Sequence, residues 1–326
     1  LSTYGPTPAT HPLAAWFIAV SCVACSAAAE EKPAVPRIAG PWWSIAGNPD
    51  LGPLTSDEQE PVDFGIWQAG DGTWQLWSCI RKTKEEGHTR LFFGWEGDEL
   101  TETDWKPLGI VMRGDPDHGE HPGGLQAPYV VRHDGLWHMF YGDWESICLA
   151  TSKDGKNFRR ASISGAGPQL FSEGEGNKTR DPMLLKVGDT WHCYYCAMPG
   201  QGGIFVRRSK SLSDWSKSKP QKVCAGGAPG QKWWNAECPH VVHHEGYFYL
   251  FRTSNYKSKP RTTVYRSRDP LDFGVDDDTK IVAALPVAAP EIIFHRGNYY
   301  LAALKPQLDG IRIAALEFRA AERDGK

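Results

Sequence analysis

The chain of 326 residues carries 36 Lys and Arg against 39 Asp and Glu, a formal charge of −3, so it has no basic surplus for gripping phosphates and no nucleic-acid partner is expected. Its 34 glycines and 24 prolines stay below the share of roughly a quarter that marks low complexity, and a 40% hydrophobic content furnishes a core, which excludes disorder for most of the length. Tryptophan (14) outnumbers tyrosine (11), and flat rings with a polar edge suit sugar faces as well as packing.

The first element is an apolar run over residues 13–29, broken by Ser21, Cys22, Cys25 and Ser26 and ending in Ala27-Ala28-Ala29 before Glu30-Glu31-Lys32-Pro33. It reads as the h-region and small-residue cleavage site of a secretory leader, and it is short of the ~20 apolar residues that a span needs. Residues 1–29 are therefore assigned to a leader and 30–36 to a linker, with no membrane span in the mature chain and a secreted or periplasmic location. Disulfides are permitted among the remaining cysteines but not implied. Cys193 and Cys196 have CxxC spacing, yet in a strand i and i+3 face opposite sides, so neither a redox nor a zinc role is expected.

From there the chain repeats. Segments 65–74, 128–137, 182–191, 239–248 and 290–299 each place an aromatic nine residues after the first position, with a Gly/Asp turn just before it. Each continues as an apolar strand, so the five copies read as β-hairpins. A looser pattern follows each one: an alternating strand, an Asp-bearing turn, and an aromatic that opens another strand, over 91–105, 147–158, 204–215 and 264–273, with a truncated fifth copy at 311–318. Two hairpins per unit, at spacings of 51 to 63 residues, predict an all-β fold, a five-bladed β-propeller of four-stranded blades over residues 37–319, followed by a tail at 320–326. Because the last copy lacks a fourth strand, residues 37–45 are expected to supply it and close the ring.

A propeller sets the first strand of each blade against the central channel, so the hairpin starts converge on one mouth. They read Val62-Asp63-Phe64-Gly65, Leu125-Gln126-Ala127-Pro128, Thr179-Arg180-Asp181-Pro182, Ala236-Glu237-Cys238-Pro239 and Ala288-Ala289-Pro290-Glu291. Structure alone has no reason to gather the acids of blades one, three and four, since they repel. A glycosidase has one: it needs a protonated acid at the leaving oxygen and an ionised carboxylate at the anomeric carbon. In ideal strands Asp181 and Glu237, one and two residues before their prolines, would face opposite ways, so their convergence requires irregular blade entrances.

Arg180-Asp181-Pro182 and Glu237-Cys238-Pro239 resemble the short signatures of glycoside hydrolase family 32, the β-fructosidases. Ala127-Pro128-Tyr129-Val130 with Asp134-Gly135, and the stretch from Glu237 to Leu250, are similar to family 43, the arabinan and xyloside hydrolases. The resemblance covers about residues 42–318 and implies a cofactor-free hydrolase of a furanoside or short oligosaccharide, exo-acting, with a carbohydrate as its partner. It assigns Glu237 as general acid, Asp63 as nucleophile in a retaining mechanism or base in an inverting one, and Asp181 as the residue that holds sugar hydroxyls and tunes Glu237. Candidate substrate contacts are Arg180, Trp144, Trp234, His240, Arg252 and Glu291. The loop pair His118 and His121 is read as solvated, and no metal site is assigned. Rival readings are a carbohydrate-binding propeller that has lost the chemistry, and a glycoside phosphorylase using Arg180, Lys178 and Arg252.

Overall fold

A computed structural model describes residues 34–320, apart from 164, 166, 201, 226–235 and 276. The N-terminal strand β1 (Ala34–Gly47) is followed by blade one: β2 (Glu60–Gln68), β3 (Trp74–Arg81), β4 (Leu91–Gly97) and β5 (Lys106–Arg113). Blade two holds β6 (Leu125–His133), β7 (Leu136–Asp143) and β8 (Ser146–Ser152), its outer edge split between β9 (Arg159–Arg160) and β10 (Gln169–Ser172). Blade three is β11 (Arg180–Val187), β12 (Thr190–Ala197), β13 (Gly203–Ser209) and β14 (Gln221–Ala225), and blade four is β15 (Glu237–His244), β16 (Tyr247–Asn255), β17 (Arg261–Ser267) and β18 (Ile281–Leu285). Blade five takes β19 (Glu291–His295), β20 (Asn298–Leu304) and β21 (Gly310–Ala320), and its fourth strand is β1. The first strands touch in cyclic order, β2 to β6, β11, β15, β19 and back to β2, so they line the axis.

The five expected hairpins are the five innermost strand pairs. The expected closure is also present: β1 runs antiparallel to β21 from Ala34 opposite Ala320 to Gly47 opposite Gly310. The third-to-fourth connections are less regular than the pattern implied. Trp105 directly precedes β5, but Trp215 and Phe273 precede β14 and β18 by several residues and sit buried in the turns.

Tryptophan is spent mainly on packing. Trp67, Trp74, Trp77, Trp95, Trp105, Trp137, Trp191 and Trp215 are all buried. Trp67 Nε1 donates to the Gly155 carbonyl at 2.7 Å, and Trp137 Nε1 donates to that of Gln68 at 3.0 Å, so the rings stitch blades one and two through their polar edges. Trp215 is packed edge-on to Phe140 of the preceding blade; truncating such a ring to alanine costs about 3–5 kcal/mol. Close approach at the axis also fixes Gly65, where an added Cβ would meet the Pro128 carbonyl oxygen at 2.4 Å. No helix among the described residues is long and apolar enough to cross a membrane.

Candidate active site

The first strands of blades one to four enter through the same irregularity. Pairing with the second strand skips between Val62 and Phe64, Gln126 and Tyr129, Arg180 and Met183, and Glu237 and His240. A residue at each skip has a left-handed φ: 30° at Asp63, 41° at Ala127, 57° at Asp181 and 48° at Cys238, with 47° at Ala289 just ahead of β19. These are β-bulges, and a bulge re-aims the side chains around it. The bulge eases the alternation problem: Cys238 lines the cavity with Asp63 and Asp181, while Glu237, one residue earlier, stands beside it on Arg180. The bulge also corrects the repeat alignment by one residue in blade one: Phe64, not Gly65, is the counterpart of the prolines, because the β2–β3 turn spans 69–73 where the other blades use two residues.

The bulge residues line one cavity together with Phe64, Pro128, Pro182, Pro239 and Glu291; its volume, open mouth included, is about 290 Å³. Cys238 is the hub. Its N–H donates to Asp181 Oδ2 at 3.1 Å and its thiol to Asp63 Oδ1 at 3.2 Å, while Tyr256 Oη lies 3.2 Å from the sulfur. A second thiol, Cys196, donates to the same Asp181 oxygen at 3.2 Å. Burial, with nearby carboxylate charge, pushes both thiols far above their ordinary range, so they stay protonated donors. Asp181 Oδ1 is buried and has no hydrogen-bond partner among the described residues. One step before the bulge, Arg180 and Glu237 occupy equivalent places in neighbouring blades and pair, Nη2 to Oε1 at 2.6 Å.

Asp63 and Asp181 therefore share the cavity while Glu237 stands next to it, and the acids disfavour one another's charge. Burial raises the Asp63 carboxyl, and the charge of Glu237 adds to it against the opposing field of Arg90. Burial raises Asp181 too, with Asp63 adding and Arg180 opposing. Such strained titrations mark functional clefts.

The other candidates divide. His240 and Glu291 sit one step further along the first strands, with His240 Nδ1 3.3 Å from Glu291 Oε2. The Ile292 N–H donates to His240 Nε2 at 3.3 Å, which leaves the ring proton on Nδ1, toward the acid. Trp144 tips the β7–β8 hairpin, stacked on His88 at 3.7 Å between centroids. Arg252 turns away from the carboxylates: it lies over Tyr265 and caps the Ala225 carbonyl at 2.5 Å. Trp234 lies outside the described residues. His118 pairs with Asp115, and the His121 N–H with Asp143; no group of three or more His, Cys, Asp and Glu among the described residues is placed to hold a metal. All six described cysteines are free thiols.

Sequence reasoning missed Arg90, Tyr256 and Cys196. The first two lie in second-to-third-strand loops, which differ in length from blade to blade and carry no repeat signal. Cys196 was visible as half of a CxxC pair; its relevance comes from pairing opposite Arg180 across β11 and β12.

No family model matches the chain, and no curated protein resembles it in sequence. Solved structures do match in three dimensions. A thermostable family-43 glycoside hydrolase superposes with a TM-score of 0.61 at 17% identity, covering 85% of this chain and 97% of that one. The fold is that of the glycosidase propellers. An α-L-arabinofuranosidase from Clostridium thermocellum gives 0.56 at 14% identity, over 84% and 94% of the two chains. A GH32 β-fructofuranosidase from Bombyx mori gives 0.56 at 17%, over 79% of this chain and 59% of its own length. The chain thus has glycoside hydrolases as its structural neighbours, at identities that establish architecture alone.

Proposed function

We propose that the protein is a glycoside hydrolase in which Glu237 is the general acid, Asp63 the nucleophile or base, and Asp181 the residue that orients the sugar. The observation that carries this reading is a cavity lined by the carboxyls of Asp63 and Asp181, the second with a buried, unpartnered oxygen, with Glu237 beside it on Arg180 and close enough for its charge to act on Asp63. An orphaned Oδ1 on Asp181 is an acceptor awaiting a donor, and a sugar hydroxyl is the donor a glycosidase brings. The Cys238 thiol and the Arg90 field favour the charged form of Asp63 against its burial, which suits the group that must be negative opposite an oxocarbenium-like centre. Glu237 is partly open, with 22% of its side chain exposed, which suits contact with a leaving group that departs into solvent. For it to carry a proton, arriving substrate has to loosen the Arg180 pair.

Exo action is the mode that the family resemblance implies, and the furanosides named for the structural neighbours are the first substrates to try. Export, read from residues 13–29, would place the enzyme where such oligosaccharides are met.

The Arg180–Glu237 ion pair favours a second reading, a sugar-binding propeller whose acid is quenched. The experiment that separates the two is turnover of aryl furanosides, aryl pyranosides and unactivated oligosaccharides by wild type and Glu237→Gln. The hydrolase reading expects a loss on the order of a hundredfold or more on unactivated substrates and a smaller one with an activated aryl leaving group. Equal, small losses on both would remove Glu237 as the acid, and sugar binding without wild-type turnover would establish the binding protein.

A further inference from the structure

The guanidinium groups of Arg81, Arg113, Arg160, Arg180 and Arg207 each lie within hydrogen-bonding distance of a carboxylate, on Glu60, Glu85, Glu120, Glu237 and Glu173. Half-buried Arg90 hydrogen-bonds the Cys79 thiol but among the described residues forms no ion pair with a carboxylate. Its backbone is fixed by an N–H bond to the Gly123 carbonyl at 3.0 Å, and its guanidinium stands 5.2 Å from the centre of the Trp144 ring. From there its field reaches Asp63 and the Cys79 thiol.

The wall around it is cationic and aromatic. The Lys178 ammonium lies 5.9 Å from the same ring, and His88 is stacked flat on Trp144, 9° from parallel. Glu145 is the acid that faces this wall; one of its oxygens accepts the Lys178 backbone N–H at 3.2 Å. Asp143 sits behind it, accepting from the His121 N–H at 2.7 Å. Partly desolvating a guanidinium without a carboxylate is costly unless a ligand supplies the anion, and the planar fork of arginine matches an oxyanion in two-point contact.

We propose that Arg90, with Lys178 and Trp144, forms a subsite for an anionic sugar, one bearing a carboxylate or a sulfate ester next to the ring processed by Asp63 and Glu237. The shared chemistry is a sugar-borne oxyanion; the test distinguishes its two sources. The subsite depends on the hydrolase reading only for the cleavage of a bound sugar, and the binding itself can be measured alone.

Calorimetric titrations would compare matched pairs, glucuronate against glucose, galacturonate against galactose, and galactose 6-sulfate against galactose, on wild type, Arg90→Gln and Arg90→Lys. Thermal melts would confirm that each variant is folded. The expected result is at least tenfold tighter binding of an anionic member over its neutral twin in the wild type, erased in Arg90→Gln and partly kept in Arg90→Lys. Preference for uronates names the carboxylate, and preference for the 6-sulfate names the ester. No preference in the wild type, or one that survives Arg90→Gln, overturns the proposal. Turnover of the corresponding 4-nitrophenyl glycosides is a separate arm: anionic preference without turnover keeps the subsite and rejects the hydrolase, while turnover without preference does the reverse. Release of a sugar 1-phosphate when inorganic phosphate is added would overturn it as well, assigning the wall to phosphate.

Discussion

The entrances of blades two and five, set beside those of blades three and four, separate what the fold does from what the chemistry does. Ala127 in blade two shares the bulge of Asp181 and Cys238, and Ala289 ahead of β19 shares its left-handed φ, 41° and 47° against 57° and 48°. A left-handed φ outside glycine costs roughly 1–2 kcal/mol, and in blades two and five nothing chemical is gained for it. The strain therefore belongs to the way a first strand enters a propeller blade. The repeat provides the same socket in successive blades, and only some of the sockets carry ionisable groups.

The largest effect expected from that contrast comes from Asp63→Asn. If the carboxyl is the nucleophile or base, turnover falls on the order of a thousandfold or more, whereas Ala127→Gly at the equivalent place changes it by less than about twofold. Comparable losses in the two variants would mean that bulge geometry, not charge, limits the reaction.

Next comes pH. Because Asp63 and Asp181 are raised by burial and by neighbouring charge, the folded protein holds protons that the unfolded chain has released once pH exceeds the ordinary carboxylate value. Each group then costs stability as pH climbs from about 4 through its folded pKa. Asp181→Asn, which keeps the shape and still accepts from Cys238, should melt higher than wild type at pH 7, with the gap narrowing toward pH 4. A lower melting temperature at pH 7 would show that Arg180 stabilises the charged acid by more than burial costs it.

The smallest effect is at Ala289. Replacing it by glycine relieves the left-handed strain at the expense of a more flexible unfolded chain, for a net gain of about 1 kcal/mol or less, read as a shifted denaturant midpoint with unchanged slope. A loss would mean that the alanine methyl packs more strongly than its backbone is strained.

Much of this was legible in the sequence because the repeat imposes a rule: the hairpin starts have to meet at the axis, so Asp63, Asp181 and Glu237 could be singled out before any coordinates. The Arg180–Glu237 pair was not, because the repeat sets the two at equivalent places in neighbouring blades but does not say that their side chains turn toward each other. Arg90 and Tyr256 were beyond reach for another reason. They come from the 82–90 and 256–260 loops, where no periodicity operates and position depends on what the loop packs against. Tyr256 reaches the Cys238 sulfur while the adjoining Lys257 crosses to Glu60 of blade one at 2.8 Å, a path that neither hairpin predicts. Arg252 shows the converse: a basic residue near a blade entrance in sequence was taken up by a backbone carbonyl.

The pairing of β1 with β21 also orders events in time. Blades one to four are each made of consecutive strands and can form as soon as their own residues are available. Blade five has to wait, because its outer strand is near the start of the chain and its partner near the end, with Ala34 opposite Ala320. Closing so long a loop is entropically the most expensive contact in the molecule, although the cost grows only logarithmically with length. Contacts of this range slow folding. Until it closes, β1 is an unpaired edge open to β21 of another copy, and the ring that holds the cavity at the axis is incomplete. A circular permutant joining the two ends and opened between blades would make that last step a local hairpin, shortening the interval in which two molecules can exchange strands.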